Sequence, residues 1–180
     1  MYYKGEGVQK DYKKAVEWYK KAADQGNANA QTILGNMYYN GEGVQKDIKQ
    51  AVEWNKKAAD QGYANAQNFL GNMYETGKGV EKDYKKAVEW YKKAADQGNE
   101  GAQFALGGMY RNGEGVQKDY KQAVEWFKKS ANQGNADAQF NLGNMYIYGK
   151  GVQKDYKRAA EWFSLSCNGG FKEACLMLKN

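Results

Sequence analysis

The sequence predicts an all-α fold: a right-handed superhelical α/α solenoid of antiparallel helix hairpins. The main indication is an internal repeat, because the segment GEGVQKDYKKAVEWYKKAADQG begins at Gly5 and a close copy follows 36 residues later at Gly41. Further copies keep this interval without insertion and begin at Gly77, Gly113 and Gly149. Apolar residues within each copy recur three or four positions apart, as in amphipathic helices, so we expect each repeat to stack on its neighbours.

The first helix of a repeat is predicted over residues 12–24. Asp11 is a typical N-cap residue before it, and Gly26 is expected to end it as the C′ residue. Its apolar stripe consists of Tyr12, Ala15, Val16, Tyr19, Ala22 and Ala23. The opposite side carries Lys and Glu in every copy, so we expect the first helices to form a solvated convex surface.

The second helix is predicted from Ala28 to about Tyr39, after a short DQGN turn that makes the pair antiparallel. Its buried side is expected to contain Ala30, Leu34, Met37 and Tyr38. Gly35 costs about 1 kcal/mol of helix propensity yet recurs in the later repeats, which indicates close packing against another helix. The polar, glycine-rich segment NGEGVQKD at 40–47 is predicted to be the loop between repeats.

A tryptophan recurs in every first helix, and we expect it to be the large buried anchor of its repeat. The five are Trp18, Trp54, Trp90, Trp126 and Trp162. A row of tryptophans at a fixed interval is more typical of a hydrophobic core than of a ligand site.

The repeat A-x-A-Q-x-x-L-G-x-M-Y…G-x-G-V-x-K-D-x-x-x-A-x-E-W-x-K-K-A-A-x-Q-G resembles the Sel-like repeat (SLR), a relative of the tetratricopeptide repeat. In the phase of that family, complete repeats are expected at 27–62, 63–98, 99–134 and 135–170, with partial repeats at 1–26 and 171–180 of one array. The resemblance implies a bacterial adaptor or scaffold that binds a protein or peptide on a concave surface lined by the A-x-A-Q helices. No cofactor is predicted.

Charge and composition disfavour several other functions. The net charge is +6, but Lys alternates with Glu and Asp instead of forming one block, which argues against nucleic-acid binding. No apolar run approaches the roughly 20 residues that span a bilayer, so membrane insertion is not expected. Histidine, the commonest general base and metal ligand, is absent.

The sequence also argues against an enzyme. Some cysteine-rich relatives have been associated with β-lactam binding, which would make β-lactam binding or hydrolysis an alternative function. That chemistry usually needs a serine with a lysine three residues later, and none of Ser130, Ser164 and Ser166 has one. No catalytic residues and no metal ligands are predicted.

Comparison of the repeats with one another predicts a binding surface. Residues fixed by stacking should recur, whereas a recognition surface can vary, and the variation is concentrated in the A-x-A-Q helices. Asparagine, which offers a donor and an acceptor, recurs on one face of these helices. The predicted groove residues are Asn36, Asn72, Asn144, Tyr39, Phe104, Arg111 and Phe140.

The two cysteines occur only in the last repeat. Cys167 and Cys175 flank the turn between two antiparallel helices, so a disulfide is sterically reasonable, although free structural thiols or a redox or metal role are alternatives. The C-x7-C spacing resembles the cysteine-rich branch of the family in bacterial pathogens. That resemblance favours a disulfide and a periplasmic or secreted protein.

Self-association is a further alternative to binding a different protein. Both ends of the sequence fall inside a repeat, and neither shows a polar capping helix. Apolar stacking surface should then be exposed at each end, where end-to-end association would make the chain a structural spacer.

Overall fold

The computed structural model describes residues 11–178, and this range contains ten α-helices and no strand. The helices are α1 Tyr12–Asp24, α2 Ala28–Asn40, α3 Ile48–Asp60, α4 Ala64–Thr76, α5 Tyr84–Asp96, α6 Glu100–Asn112, α7 Tyr120–Asn132, α8 Ala136–Tyr148, α9 Tyr156–Asn168 and α10 Lys172–Met177. The predicted all-α class is confirmed, and odd and even helices are the predicted first and second helices. The first copy of the inter-repeat loop and most of the segment before α1 lie outside the described residues.

The chain forms two compact blocks, an N-terminal block over Met1–Lys93 and a C-terminal block over Ala94–Asn180. In the N-terminal block, α2 packs against both α1 and α3, and α3 packs against α4. In the C-terminal block, each of α6 to α9 packs against the next helix in the chain. No helix within residues 11–178 has the length and apolar character needed to cross a membrane.

The helix ends follow the predicted capping pattern. The carboxylate of Asp11 accepts a hydrogen bond from the backbone N–H of Lys14, which satisfies one of the unpaired donors at the start of α1. Gly26 adopts a left-handed φ of 88°, and its N–H donates to the carbonyl of Ala23. The N–H of Asn27 donates to the carbonyl of Ala22, which completes a Schellman motif.

A glycine in each of α2, α4, α6 and α8 contacts the side chain that follows the tryptophan in the next first helix. A Cβ placed on Gly107 would lie 2.5 Å from Cδ1 of Phe127, and one on Gly71 would lie 2.5 Å from Cδ1 of Tyr91. Glycine is therefore required in the middle of these helices because the neighbouring side chain occupies the space that a methyl group would need. The packed pairs are Gly35 with Asn55, Gly71 with Tyr91, Gly107 with Phe127 and Gly143 with Phe163.

The expectation that every tryptophan is the main buried anchor is wrong for Trp18, which is 59% exposed. Trp54, by contrast, is 8% exposed and packs on the core formed by α1 and α2. The preceding hairpin buries Trp54 and Trp126 but covers Trp90 and Trp162 only in part, and no hairpin precedes Trp18 in the described part of the chain. The more deeply buried residue of each first helix is the one after the tryptophan, such as Phe127 at 0%.

The glutamine of the A-x-A-Q motif fastens the two helices of a hairpin together. In α6, Nε2 of Gln103 donates to the carbonyl of Ala95 at 3.2 Å, while Oε1 of Gln103 accepts from Nε2 of Gln133 at 2.8 Å. Both polar atoms of a buried amide are thereby satisfied. In α8, Oε1 of Gln139 is buried without a partner because Gly169 stands where Gln133 stands one repeat earlier.

Candidate functional site

The N-terminal block contains a cleft of about 460 Å³ beside α2 and α4. Its lining combines amide side chains with apolar ones, so it can offer hydrogen bonds and apolar contact together. The lining residues are Asn29, Thr32, Ile33, Asn36, Tyr63, Asn65, Asn68, Phe69 and Asn72.

Two of the predicted asparagines line this cleft. Asn36 and Asn72 occupy the same position in successive repeats, and both side chains are exposed to solvent. An asparagine amide can donate to a peptide carbonyl and accept from a peptide N–H. The arrangement could therefore hold an extended backbone through alternating donors and acceptors.

Three other polar groups of the cleft are held by neighbouring atoms, and the amide of Asn72 also forms a hydrogen bond with the hydroxyl of Tyr91. The hydroxyl of Tyr63 donates to Oδ1 of Asn29 at 2.9 Å, a bond that links α2 with the start of α4. Oγ1 of Thr32 donates to the carbonyl of Ala28 at 3.0 Å, and the side chain is buried. The cleft therefore has an ordered rim and a partly apolar wall.

Tyr39, also predicted for the groove, is half-buried beside the cleft. Its ring meets Phe69 edge-on with centroids 5.5 Å apart, and Nζ of Lys46 lies 5.6 Å from the ring centroid. Edge-to-face packing of this kind fixes the orientation of both rings. The side chain of Tyr39 is therefore fixed by its neighbours and forms part of the surface beside the cleft.

Further along the same block, the hydroxyl of the buried Tyr91 donates to Oε2 of Glu75 at 2.5 Å. Burial, followed by the bond to the Glu75 carboxylate, raises the pKa of Tyr91 far above its usual value. Glu75 occupies in α4 the position that Tyr39 occupies in α2, so the charge of the surface changes from one repeat to the next.

The remaining predicted residues lie in the C-terminal block. The half-buried Phe104 packs against Phe127 with centroids 5.7 Å apart. Phe140 packs against Phe163 at 5.5 Å and against Phe171 at 4.7 Å. Both rings also serve as core packing, so only part of each faces solvent, while Asn144 in α8 is partly exposed.

Arg111 is held in place near the C-terminal end of α6. Its Nη1 donates to Oδ1 of Asn141 in α8, and its Nε donates to Oδ1 of Asn112 at 3.2 Å. The guanidinium carbon lies 5.8 Å from the ring centroid of Phe127, within cation–π range. The side chain is thus oriented by two amides and one ring.

The prediction omitted several residues that the structure brings to these surfaces. Asn29, Tyr63 and Asn65 belong to the N-terminal cleft, and Asn141 orients Arg111. A signal for two of them is present in the sequence, because Tyr63 replaces the asparagine that stands at 27, 99 and 135, and Asn141 stands at a position that varies in every repeat. Their roles depend on side-chain contacts between helices, which variation along the chain does not show.

Cys167 and Cys175 are joined as a disulfide with Cα atoms 4.8 Å apart. Cys175 stands at the position of the motif glutamine, and Cys167 stands at the position of the alanine whose carbonyl that glutamine bonds in the other hairpins. In the last hairpin, a disulfide bond therefore replaces the hydrogen bond that joins the same two positions in the other hairpins. Within residues 11–178, no cluster of His, Cys, Asp or Glu side chains could hold a metal ion.

The packing residues recur in every hairpin, whereas the exposed residues of the second helices vary. This combination is typical of the α-helical repeat proteins built from helix hairpins. The chain belongs to the Sel1 repeat family. The family model matches residues 1–27, 28–63, 64–99, 101–135 and 136–171. Members of this family generally serve as protein-interaction scaffolds.

Solved structures agree with this assignment. The chain is 44% identical to c5321, a protective antigen present in uropathogenic Escherichia coli strains, with a TM-score of 0.94 over 98% of this chain and 38% of that one. It is 42% identical to a Sel1 repeat protein from Oxalobacter formigenes, with a TM-score of 0.91 over 97% of this chain and 71% of that one. It is 33% identical to Helicobacter pylori cysteine rich protein B, with a TM-score of 0.57 over 72% and 92% of the two chains.

The chain therefore spans well under half the length of the Escherichia coli protein that it resembles. A search of the curated proteins gave no significant match.

Proposed function

We propose that this chain is a non-catalytic scaffold that binds a peptide or protein segment on the surface of its second helices. The cleft in the N-terminal block is the observation that carries the proposal. Its volume of about 460 Å³ is within the range of ligand clefts, and its lining combines apolar walls with a few polar groups.

The chemistry of the cleft favours a peptide over a small charged ligand. Amide side chains dominate its polar groups, and the residues that line it include no charged side chain. Amides match the alternating N–H and C=O groups of an extended backbone. Ile33 and Phe69 supply apolar surface for a side chain of the bound segment.

The hydroxyls of Ser130 and Ser166 are unsuited to acyl-transfer chemistry. Oγ of Ser130 donates to the carbonyl of Glu100 at 3.1 Å, and Oγ of Ser166 donates to the carbonyl of Ala136 at 2.7 Å. Both residues are fully buried. A serine nucleophile needs a neighbouring general base, whereas these two hydroxyls bond to backbone acceptors.

Selection of random peptides displayed on phage tests the proposal without assuming a partner sequence. Peptides enriched on the wild-type chain should bind the double variant Asn36→Ala, Asn72→Ala at least about tenfold more weakly, because two backbone hydrogen bonds are lost. Affinity would be measured by fluorescence anisotropy with the synthetic peptides.

The matched control is Asn132→Ala, Asn168→Ala, which removes two exposed amides from the ends of first helices. This variant should bind as the wild type does. If no peptide is enriched, or if both double variants weaken binding equally, the cleft is not the recognition surface.

A further inference from the structure

Arg111 differs from the other charged residues of α2, α4, α6 and α8. It is the only lysine or arginine in α2, α4, α6 and α8. Within residues 11–178 it forms no ion pair with a carboxylate, because its bonds go to the neutral amides of Asn141 and Asn112. The structure therefore keeps an uncompensated positive charge in a half-buried position.

The neighbouring groups hold this guanidinium in one orientation. Asn141 is itself fixed, since its Nδ2 donates to the carbonyl of Asp137 at 2.8 Å while its Oδ1 accepts from Arg111. An arginine carries more N–H donors than these two bonds use. The remaining donors are available to a planar acceptor such as a carboxylate, and the cost of ordering the side chain has already been met on folding.

Two lysines lie near Tyr120, a residue whose hydroxyl also feels the charge of Arg111. Nζ of Lys118 and Nζ of Lys150 lie 5.0 Å and 5.6 Å from the ring centroid of Tyr120. Lys118, with smaller effects of Lys150 and Arg111, lowers the pKa of Tyr120. Glu114 accepts a bond from Asn112 at 3.3 Å and not from Arg111.

Open space lies one turn before Arg111 on the same helix. Gly108 stands where Asn36, Asn72 and Asn144 stand in the other second helices, and a Cβ placed on it would meet no atom within 4 Å. Phe104 follows one further turn along α6. Towards the start of α6, the guanidinium of Arg111 is thus followed by the open space at Gly108 and then by the ring of Phe104.

We infer that this surface of the C-terminal block binds an acidic segment of a partner protein, with a glutamate or aspartate side chain on Arg111 and a neighbouring apolar side chain against Phe104. The inference rests on the proposed function, whose ligand class it names. Acidic side chains are favoured over a terminal carboxylate because Lys118 and Lys150, which both lie near the ring of Tyr120, add positive charge that a single chain terminus would not satisfy.

A synthetic probe tests this inference: a fluorescent peptide of alternating glutamate and phenylalanine, acetylated and amidated at its ends. It should bind the wild-type chain about tenfold or more tightly than the matching glutamine and phenylalanine peptide, because a charge-assisted bond is lost in the latter. A glutamine and phenylalanine peptide with a free terminal carboxylate should bind no better than its amidated form.

Variants assign the effect to Arg111. Arg111→Gln should weaken binding of the acidic peptide about tenfold or more, and Arg111→Lys should weaken it less, because charge is kept but the planar fork is lost. Gly108→Asn, which restores the residue of the other repeats, should weaken it by filling the open space beside Arg111. Lys157→Gln is the control, since it removes an exposed positive charge from α9.

Three results would overturn the inference: no saturable binding of the acidic peptide, equal binding of both amidated peptides, or equal losses in Arg111→Gln and Lys157→Gln. Far-UV circular dichroism of Arg111→Lys and Arg111→Gln would show that both remain folded. The proposed function fails separately, because it depends on phage-selected peptides and on Asn36 and Asn72 in the other block.

Discussion

Two adjacent glycines of α6 should respond oppositely to the same substitution. Replacing a helix-interior glycine with alanine stabilises a helix by about 1 kcal/mol when the methyl group has room. A Cβ on Gly108 meets no atom within 4 Å, whereas one on Gly107 would lie 2.5, 2.6 and 2.8 Å from ring carbons of Phe127. The two substitutions therefore share the gain in propensity and differ in packing.

The size of the packing cost follows from the distances. Carbon atoms in good contact are about 3.5–4.0 Å apart, so the methyl group on Gly107 overlaps the ring by about 1 Å. Phe127 is fully buried and cannot move aside into solvent. Overpacking should cost about 2–3 kcal/mol, which leaves Gly107→Ala destabilised by about 1–2 kcal/mol and Gly108→Ala stabilised by about 0.5–1 kcal/mol.

Urea unfolding followed by far-UV circular dichroism would measure both changes. The midpoint should fall for Gly107→Ala and rise for Gly108→Ala. Adding Phe127→Leu should reduce the cost of Gly107→Ala, and a double-mutant cycle would give the coupling between the two positions. A Gly107→Ala midpoint at or above that of the wild type would refute the proposed packing.

Three further predictions concern other parts of the fold. Trp54→Ala should cost about 3–5 kcal/mol and Trp18→Ala less than about 1 kcal/mol in urea unfolding, since the two side chains are 8% and 59% exposed; equal losses would contradict this. Because folding raises the pKa of Tyr91, this residue contributes stability at any pH below the usual tyrosine pKa near 10. The contribution decreases as the pH rises above that value, since the unfolded chain then loses the proton first. The stability advantage of the wild type over Tyr91→Phe should therefore shrink above about pH 10, and a constant difference would argue against it. Reducing the Cys167–Cys175 disulfide should cost about 2–3 kcal/mol and speed amide hydrogen exchange in α10 alone; unchanged exchange there would show that the bridge does not hold this helix.

The periodic features of the fold were predictable from sequence because they depend on local chemistry. Asp11 and Gly26 are strong helix-end residues, and α1 has the predicted bounds. The burial of individual large side chains was harder to predict, because it depends on which helix covers them. Each first helix carries a tryptophan followed directly by another large residue, and the sequence does not show which of the two is more deeply buried. The packing of Phe127 against Gly107 shows that it is the second one.

The candidate cleft could be predicted only in outline, and its role in binding stays a prediction. Variation among repeats directed attention to the second helices, and Asn36 and Asn72 do line one cleft. Variation alone could not distinguish a residue that faces solvent from one that adapts to a changed neighbour. Phe104 illustrates this, because its ring packs on Phe127 and its identity is tied to core packing as well as to any ligand.

The contact between each helical glycine and the next first helix determines which piece of the chain can be exchanged as a cassette. A second helix and the first helix after it carry both halves of the contact, as Gly107 and Phe127 do. Cutting the gene between those helices would pair a glycine with a foreign side chain, such as Asn55 in place of a ring. Duplication or shuffling that keeps the pair intact should yield folded arrays, whereas a breakpoint that sets Gly107 against Asn55 should leave part of the core unfilled.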